Sequence, residues 1–112
     1  QEIAIAAHVD IEVNLDAIPV MPLAQRLCAA YGLDPLGAIA SGSLLATCSA
    51  ADAAEMLEAW QKVGWNGAII GMVTAPAGSA SLGSTPAVTA KRNGVCIPFP
   101  HFSADEITRL WT

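Results

Sequence analysis

The stretch Asp34-Pro-Leu-Gly-Ala-Ile-Ala-Ser-Gly-Ser-Leu-Leu-Ala-Thr-Cys48 combines a helix start, a polar turn and an apolar run. Asp34 before Pro35 is typical of a helix N-terminus, where Asp caps and Pro takes the first position. Ser41-Gly42-Ser43 predicts a turn, and Leu44–Cys48 predicts a short apolar strand. The fold therefore changes from helix to strand at this turn.

The Ser41-Gly42-Ser43 turn has two interpretations. Glycine lets backbone amides approach a phosphate or a carboxylate, and serine hydroxyls can donate hydrogen bonds to it. The other interpretation is a helix-to-strand connection made of ordinary turn residues, and residue chemistry alone favours it. The sequence has no GxxxxGK[ST] motif, so this is not a P-loop.

The flanking sequence predicts alternating strands and helices. Residues 1–7 read as the last turns of a helix. Val9–Leu15 alternates apolar and polar residues, which predicts a half-buried strand with Val9, Ile11, Val13 and Leu15 inward. Pro22 and Gly32 bound one helix, whereas a capping box of Ser49 and Asp52 opens another over about residues 50–63, which Gly64 ends.

The C-terminal part predicts a strand over Trp65–Val73 and then a mobile Gly- and Ser-rich loop over Thr74–Pro86. Val88–Arg92, Asn93-Gly94 and Val95–Pro98 predict a hairpin. Ser103 with Glu106 resembles a capping box for a terminal helix over about residues 104–111. These elements predict one α+β layered domain with a mixed or antiparallel sheet of about four to five strands packed with helices.

The composition excludes several function classes. The chain has 112 residues, a net charge of −5 and only five Lys and Arg, too few for a basic nucleic-acid-binding surface. Its longest uncharged run, Val63–Ala90, contains glycines and prolines that a membrane-spanning helix would not carry. Because 54% of the residues are hydrophobic and 13% charged, we expect another domain or a second subunit to cover part of the surface.

The cysteines and the N-terminus bear on location. Cys28, Cys48 and Cys96 are odd in number and lack CxxC spacing, which indicates free thiols in a reducing compartment. The N-terminus has no signal-peptide pattern, so we expect a cytoplasmic protein. Because the chain starts at Gln1 within a helical pattern, we expect it to be part of a longer protein.

No complete catalytic constellation can be assembled from the residues. A histidine could act as a base or ligand, the polar face of the first strand could bind a cation, and Cys48 could be a reactive thiol. A surface position, a solvated or covered strand face and a small buried side chain are the favoured interpretations of these features. The residues concerned are His8, His101, Asp10, Glu12, Asn14, Asp16 and Cys48.

Several ordered motifs resemble the C-terminal domain of the AIR synthase (PurM-like) family, whose name refers to aminoimidazole ribonucleotide. The resemblance covers about residues 2–96. It rests on Val9–Val20, Gly32–Gly37, Ala40-Ser-Gly-Ser-Leu-Leu45 and Asn66-Gly-Ala-Ile-Ile-Gly-Met-Val73. The superfamily includes AIR synthase, formylglycinamidine synthase, HypE, thiamine-monophosphate kinase and selenide water dikinase.

The resemblance implies a partly ferredoxin-like sheet domain that closes a cleft against an N-terminal domain. That N-terminal domain would form a homodimer and bind most of the ATP and Mg²⁺, leaving this chain inactive alone. The reaction would phosphorylate an amide or carbonyl oxygen, or a phosphate, of a small-molecule substrate. Ser41, Gly42 and Ser43 match the family's cleft-facing turn and are the candidate substrate-side residues.

Departures from subfamily patterns narrow this implication. Thiamine-monophosphate kinases carry Gly-Glu-Asp-Tyr after the turn, whereas Gly42 here precedes Ser43-Leu44-Leu45. HypE ends in a carbamoyl-carrying cysteine, whereas this chain ends Leu110-Trp111-Thr112. The resemblance therefore favours an AIR synthase-related protein of unassigned substrate. The alternative is a non-catalytic binding or assembly module that uses an apolar sheet or helix face.

Overall fold

A computed structural model describes residues 1–76 and 85–111, apart from the side chains of Ala75 and Pro76. The chain forms two compact units. The first unit comprises Gln1–Ile18 and Ala68–Pro100, and the second comprises Pro19–Gly67 and His101–Thr112. Most of the second unit is therefore inserted in the sequence between two parts of the first.

The first unit contains a four-stranded sheet. Its strands are β1 (Val9–Asn14), β2 (Gly71–Pro76), β3 (Val88–Arg92) and β4 (Val95–Pro98), in the spatial order β2-β1-β3-β4. β1 runs parallel to β3 and antiparallel to β2, and β3 runs antiparallel to β4. The sheet is thus mixed, and the predicted α+β class with about four to five strands is confirmed.

The strand register separates an apolar face from a polar one. Ile11 pairs with Val73 on one side and Val88 on the other, and Val13 pairs with Gly71 and Ala90. Because side chains alternate along a strand, these residues share one face, whereas Glu12 lies on the opposite face beside Met72 and Thr89. A shift in the β1–β2 register occurs between Asp10 and Ile11.

The hairpin between β3 and β4 has the predicted turn. Asn93 and Gly94 both have positive φ, at 52° and 74°. Two positive φ values in succession define a type I′ turn, whose twist matches that of the strands it joins. The Asn-Gly prediction is confirmed at its predicted residues.

A short helix, α1 (Glu2–Ala7), precedes β1 in the first unit and ends at His8, which has a left-handed φ of 51°. Among the described residues, the buried hydrophobic side chains are Ala4, Leu15 and Ala90. Val9–Val13 are all half-buried, so exposure does not follow the predicted alternation, although Leu15 is buried as expected. Asp10 and Glu12 are half-buried because their carboxylates bond to groups of neighbouring segments.

The second unit contains α2 (Pro22–Tyr31) and α3 (Ala53–Lys62). Pro22 opens α2 and Gly32, with a φ of 65°, caps its end, as predicted. α3 begins three residues later than predicted, because Ser49 and Asp52 instead close a turn ahead of it. The apolar face of α3 is half-buried, and the ring of Trp60 lies 6.4 Å from that of Trp65.

Two predicted strands require correction. Leu44–Cys48 is exposed and has no regular structure, so the predicted apolar strand is wrong; no described strand pairs with it. Within Trp65–Val73, regular pairing begins only at Gly71. Because β1 and β2 run antiparallel, the residues before Gly71 would have to pair with the residues after Asn14. The chain after Asn14 forms a 3₁₀ helix at Leu15–Ala17 and does not continue the strand.

Two further predictions change in the C-terminal part. Thr74–Pro76 belongs to β2 and not to the predicted loop, whose residues 77–84 lie outside the described chain. The terminal helix is a 3₁₀ helix over Glu106–Trp111, two residues shorter at its start than predicted. Ser103 and Glu106 form no capping box, because Glu106 accepts its hydrogen bonds from elsewhere.

Candidate functional site

The candidate turn lies between the 3₁₀ helix Pro35–Gly37 and α3. The Ser43 amide donates to the Ala40 carbonyl oxygen at 3.1 Å, which closes a four-residue turn. Gly42, its third residue, has a φ of 89°, whereas Ser41 does not have positive φ. This combination defines a type II turn, in which glycine is the residue suited to the third position.

The turn presents polar groups to its surroundings. Ser41, Gly42 and Ser43 are all exposed. Neither serine hydroxyl makes a hydrogen bond within the part of the chain that the structure describes. Two free hydroxyls and an open glycine suit an anion or a polar substrate group, but the assignment of these residues to a substrate-side cleft stays a prediction.

The base of this segment is capped as predicted. An Asp34 carboxylate oxygen, Oδ1, accepts a hydrogen bond from the Leu36 amide at 2.9 Å. Asp34 itself is extended, with φ −90° and ψ 118°, as an N-cap residue should be. Asp34 therefore caps a helical turn, which is the role that the sequence favoured for it.

A C-terminal cluster, which was not predicted from the sequence, also holds this base. The Asp34 amide donates to Glu106 Oε2 at 3.0 Å, and Arg109 Nη1 donates to the same oxygen at 2.7 Å. These two hydrogen bonds hold the pKa of Glu106 below its ordinary value of 4.5, and the bond from the Asp34 amide makes the larger contribution. The side chain of Glu106 is only 14% exposed.

The same cluster closes around Gly37. A Cβ added to Gly37 would overlap the Phe102 ring and would lie 2.6 Å from Glu106 Cγ. Arg109 Nη1 also donates to the Gly32 carbonyl oxygen at 3.4 Å. The i,i+3 spacing of Glu106 and Arg109 could have predicted that these two side chains pair. Their contacts with Asp34 and Gly32 could not be predicted, because no local sequence pattern indicates them.

The polar face of β1 is bound to neighbouring segments. Asp10 Oδ1 accepts from the Ala87 amide at 2.8 Å, and Asp16 Oδ2 accepts from the Asn93 amide at 2.6 Å. Lys91 Nζ lies 2.8 Å from Glu12 Oε1, and this hydrogen bond, with the charge of Glu12 second, raises the pKa of Lys91 above 10.5. These acidic side chains connect β1 to the β3 region.

A groove of about 270 Å³ runs beside this ion pair in the first unit. It combines charged and amide groups with an apolar wall. Its lining residues are Glu12, Asn14, Ile69, Ile70, Gly71, Met72 and Lys91. Because Glu12 and Lys91 neutralise each other, the groove carries no uncompensated charge from this pair.

The remaining candidate residues are separate. His101 is exposed in the C-terminal segment, as its surface interpretation predicted. His8 is exposed at the end of α1. All three cysteines are free. Cys48 is exposed, so its interpretation as a small buried side chain is wrong; the strand expected to bury it does not form.

The described residues do not fit a magnesium site. They contain no group of three or more His, Cys, Asp or Glu side chains that could hold a metal ion. The carboxylates of β1 already accept from backbone amides or from Lys91. No step through Mg²⁺ is therefore assigned to residues of this chain.

No helix in the described ranges is long and apolar enough to cross a membrane.

Comparison with known proteins places the chain in a family. The family described as "AIR synthase related protein, C-terminal domain" matches residues 1–82, which include the candidate turn. Carbamoyl dehydratase HypE of Cupriavidus necator is 41% identical over 58 residues, or 52% of this chain and 16% of that protein's length. The chain thus aligns with only a small part of this relative, and no solved structure gave a significant match.

The match covers well over half of the chain, and the mixed α+β fold agrees with it. The chain belongs to the family of AIR synthase-related C-terminal domains.

Proposed function

We propose that this chain is the substrate-side, cleft-closing domain of an ATP-dependent AIR synthase-related enzyme. In this proposal an N-terminal domain of the same protein binds ATP and Mg²⁺ and forms a cytoplasmic homodimer. The family match over residues 1–82 is the observation that carries the proposal.

The Ser41–Ser43 turn is the proposed substrate contact. It lies within the matched residues, its hydroxyls are exposed, and Gly42 leaves space around the backbone. Such a turn can donate hydrogen bonds to a carbonyl or phosphate oxygen of the second substrate. The turn would orient that oxygen. The N-terminal domain would supply the groups that neutralise the negative charge of the phosphoryl group.

The reaction class follows from the family and from the name of the relative, a carbamoyl dehydratase. Transfer of the γ-phosphoryl group to a carbonyl or amide oxygen breaks its bond to ADP and turns that oxygen into a phosphate leaving group. Loss of phosphate then breaks the carbon–oxygen bond; a primary amide completes this step by losing its remaining N–H proton and forming a nitrile, and another carbonyl substrate completes it by accepting a nucleophile. The similarity to HypE is limited to 58 residues, so the substrate class is proposed only as an amide, carbonyl or phosphate compound.

The test uses the full-length protein with ATP, Mg²⁺ and a panel of primary amides, carbamoyl compounds and sugar phosphates. We expect substrate-dependent release of ADP. Ser41→Ala with Ser43→Ala should raise KM for the second substrate about threefold to tenfold, as the loss of neutral hydrogen bonds predicts. Thr89→Val, which removes an exposed hydroxyl on β3, is the control and should leave KM unchanged.

Two results would contradict the proposal. Full-length protein that does not bind ATP by calorimetry would exclude the enzymatic reading. An unchanged KM in the double serine variant would exclude the turn as a substrate contact. Chain 1–112 alone should hydrolyse no ATP, because the proposed nucleotide-binding residues lie outside it.

The second candidate function is a non-catalytic assembly module. The supporting observation is an apolar stripe on α2, where Leu23, Leu27 and Tyr31 recur at four-residue spacing and are each more than half exposed. On this reading the stripe binds a partner protein and the Ser41–Ser43 turn is only a connection. Retained partner binding in full-length protein without ATP turnover would favour it.

A further inference from the structure

We infer that the C-terminal segment Phe102–Arg109 is a positioning element that fixes the base of the Ser41–Ser43 turn. The inference rests on the proposed function for the role of the turn, but the contacts themselves are independent of it. Glu106 is the central residue of this element, which we call the C-terminal clasp and define by Phe102, Glu106 and Arg109.

The clasp reaches both ends of the segment Gly32–Gly37. Arg109 donates to the Gly32 carbonyl at the start of the segment, and Glu106 accepts from the Asp34 amide in its middle. At its end, Gly37 leaves no room for a Cβ beside Phe102 and Glu106. Three contacts along six residues therefore fix the backbone from which the turn extends.

The clasp contacts favour a negative charge on Glu106. Glu106 Oε2 accepts two hydrogen bonds, one of them from the positively charged Arg109. The Asp34 carboxylate is the other acidic group in this cluster, and it caps Leu36. A neutral amide in place of Glu106 could still accept both hydrogen bonds at its one carbonyl oxygen, but these bonds would be weaker because the negative charge that assists them is lost.

The clasp acts on the turn through the backbone. Ile39–Cys48 is exposed throughout, and the Ser43–Ala40 hydrogen bond closes the turn without connecting it to a helix or strand. The direction in which Ser41 and Ser43 point is therefore set by the fixed segment before them. Phe102–Arg109 lies beyond the matched residues 1–82, so this role is inferred from the contacts alone.

The clasp also has a defined pH dependence. Because Glu106 has a lowered pKa in the folded chain, its ionised form favours the clasp above about pH 4.5, the ordinary value. That contribution is lost as the pH falls through the lowered pKa. Asp34 and Arg109 are the other charged groups that contact Glu106 in the cluster.

The experiment compares full-length wild type with Glu106→Gln and Arg109→Gln, and uses Glu58→Gln as control. Glu58 is an exposed glutamate on α3 in the same unit. Hydrogen–deuterium exchange is measured in peptides covering residues 34–43. We expect several-fold faster exchange in both clasp variants at pH 7, unchanged exchange in Glu58→Gln, and a wild-type to Glu106→Gln ratio that approaches one on acidification.

A kinetic readout separates positioning from general stability. Glu106→Gln should raise KM for the second substrate several-fold while KM for ATP stays at the wild-type value. Unchanged exchange over residues 34–43 in a folded Glu106→Gln variant would overturn the clasp, and so would an equal rise in both KM values. If Glu106→Gln exchanges faster than wild type over residues 34–43 but wild type shows no ATP-dependent turnover, the clasp is supported and the proposed function is contradicted.

Discussion

At the scale of single residues, acidic side chains in this chain connect segments that are far apart in sequence. Asp10 accepts from the amide of Ala87, Asp16 from that of Asn93, and Glu106 from that of Asp34. A backbone amide that has no hydrogen-bond partner within a strand or turn needs another acceptor, and a carboxylate is a strong one. The contacts of Asp10 and Glu12 therefore account for the acidic face of β1.

The Glu12–Lys91 ion pair gives a prediction at this scale. Glu12→Gln should lower the pKa of Lys91 toward its ordinary value of 10.5, because the hydrogen bond to a carboxylate and its charge are both lost. The pKa is measured from the pH dependence of the Lys91 side-chain NMR signals. Glu2→Gln, an exposed glutamate in the same unit, is the control and should leave the Lys91 pKa unchanged.

The sign of the stability effect follows from the raised pKa. A lysine with a higher pKa in the folded chain stabilises the fold below pH 10.5, and this contribution disappears as the pH rises through the folded-state value. Wild type should therefore lose its advantage over Glu12→Gln in strongly alkaline solution. Lys91 is 40% exposed, so water screens the pair and we expect the difference to be small. An unchanged Lys91 pKa in Glu12→Gln would contradict the assignment.

The sequence predicted residue roles where the partner is local. Asp34 caps Leu36 two residues later, and Pro22 and Gly32 bound their helix. The role of Glu106 could not be predicted, because its backbone partner is 72 residues away and nothing in the local pattern indicates it. Its three-residue spacing from Ser103 instead suggested a capping box that the tertiary contact replaces.

At the scale of elements, predictions that depend on local sequence are likewise confirmed, and those that need a distant partner are wrong. The β3–β4 hairpin is confirmed because Asn93-Gly94 determines the turn locally. Leu44–Cys48 is as apolar as a strand, but a strand exists only if a neighbour pairs with it, and apolarity alone does not supply one. The candidate turn is a turn as predicted, since Gly42 supplies the positive φ.

The hairpin turn gives an element-scale prediction. Gly94 has a φ of 74°, and an added Cβ there would meet no atom within 4 Å, so any cost of substitution comes from backbone strain. Gly94→Ala should therefore destabilise the chain by about 1 kcal/mol or slightly more, the cost of left-handed backbone for a residue with a Cβ. Unfolding by urea measures the change.

Gly94→Asn is the matched variant for that experiment. Asparagine tolerates the left-handed region better than alanine, so its loss of stability should be smaller. The expected order of stability is Gly94, then Asn, then Ala. Equal losses for Asn and Ala would show that the left-handed conformation does not determine the cost.

At the scale of the whole molecule, the chain exposes large apolar side chains in both units. Met72 and Val95 are more than half exposed in the first unit, and Met21, Leu23 and Tyr31 in the second. The sequence had indicated such a surplus through its high hydrophobic and low charged fractions. Composition cannot locate the surplus, whereas the structure places part of it on one face of α2.

The apolar stripe on α2 distinguishes the two proposed functions. If the chain closes onto an N-terminal domain, contacts within the full-length protein should bury at least part of the stripe. Tyr31 is 64% exposed in the described chain, so its ring should react readily with hydroxyl radicals. We expect Tyr31 to be labelled several-fold more slowly in full-length protein than in chain 1–112, with Met72 as a reporter from the other unit.

The dependence on concentration completes this test. Protection within one full-length molecule is independent of protein concentration, whereas protection by self-association grows with it. Equal labelling of Tyr31 in the two proteins would show that the stripe is not an internal contact. Protection that appears only at high concentration, and that Leu23→Glu removes, would instead assign the stripe to assembly, because a charged side chain there would not be buried against an apolar partner.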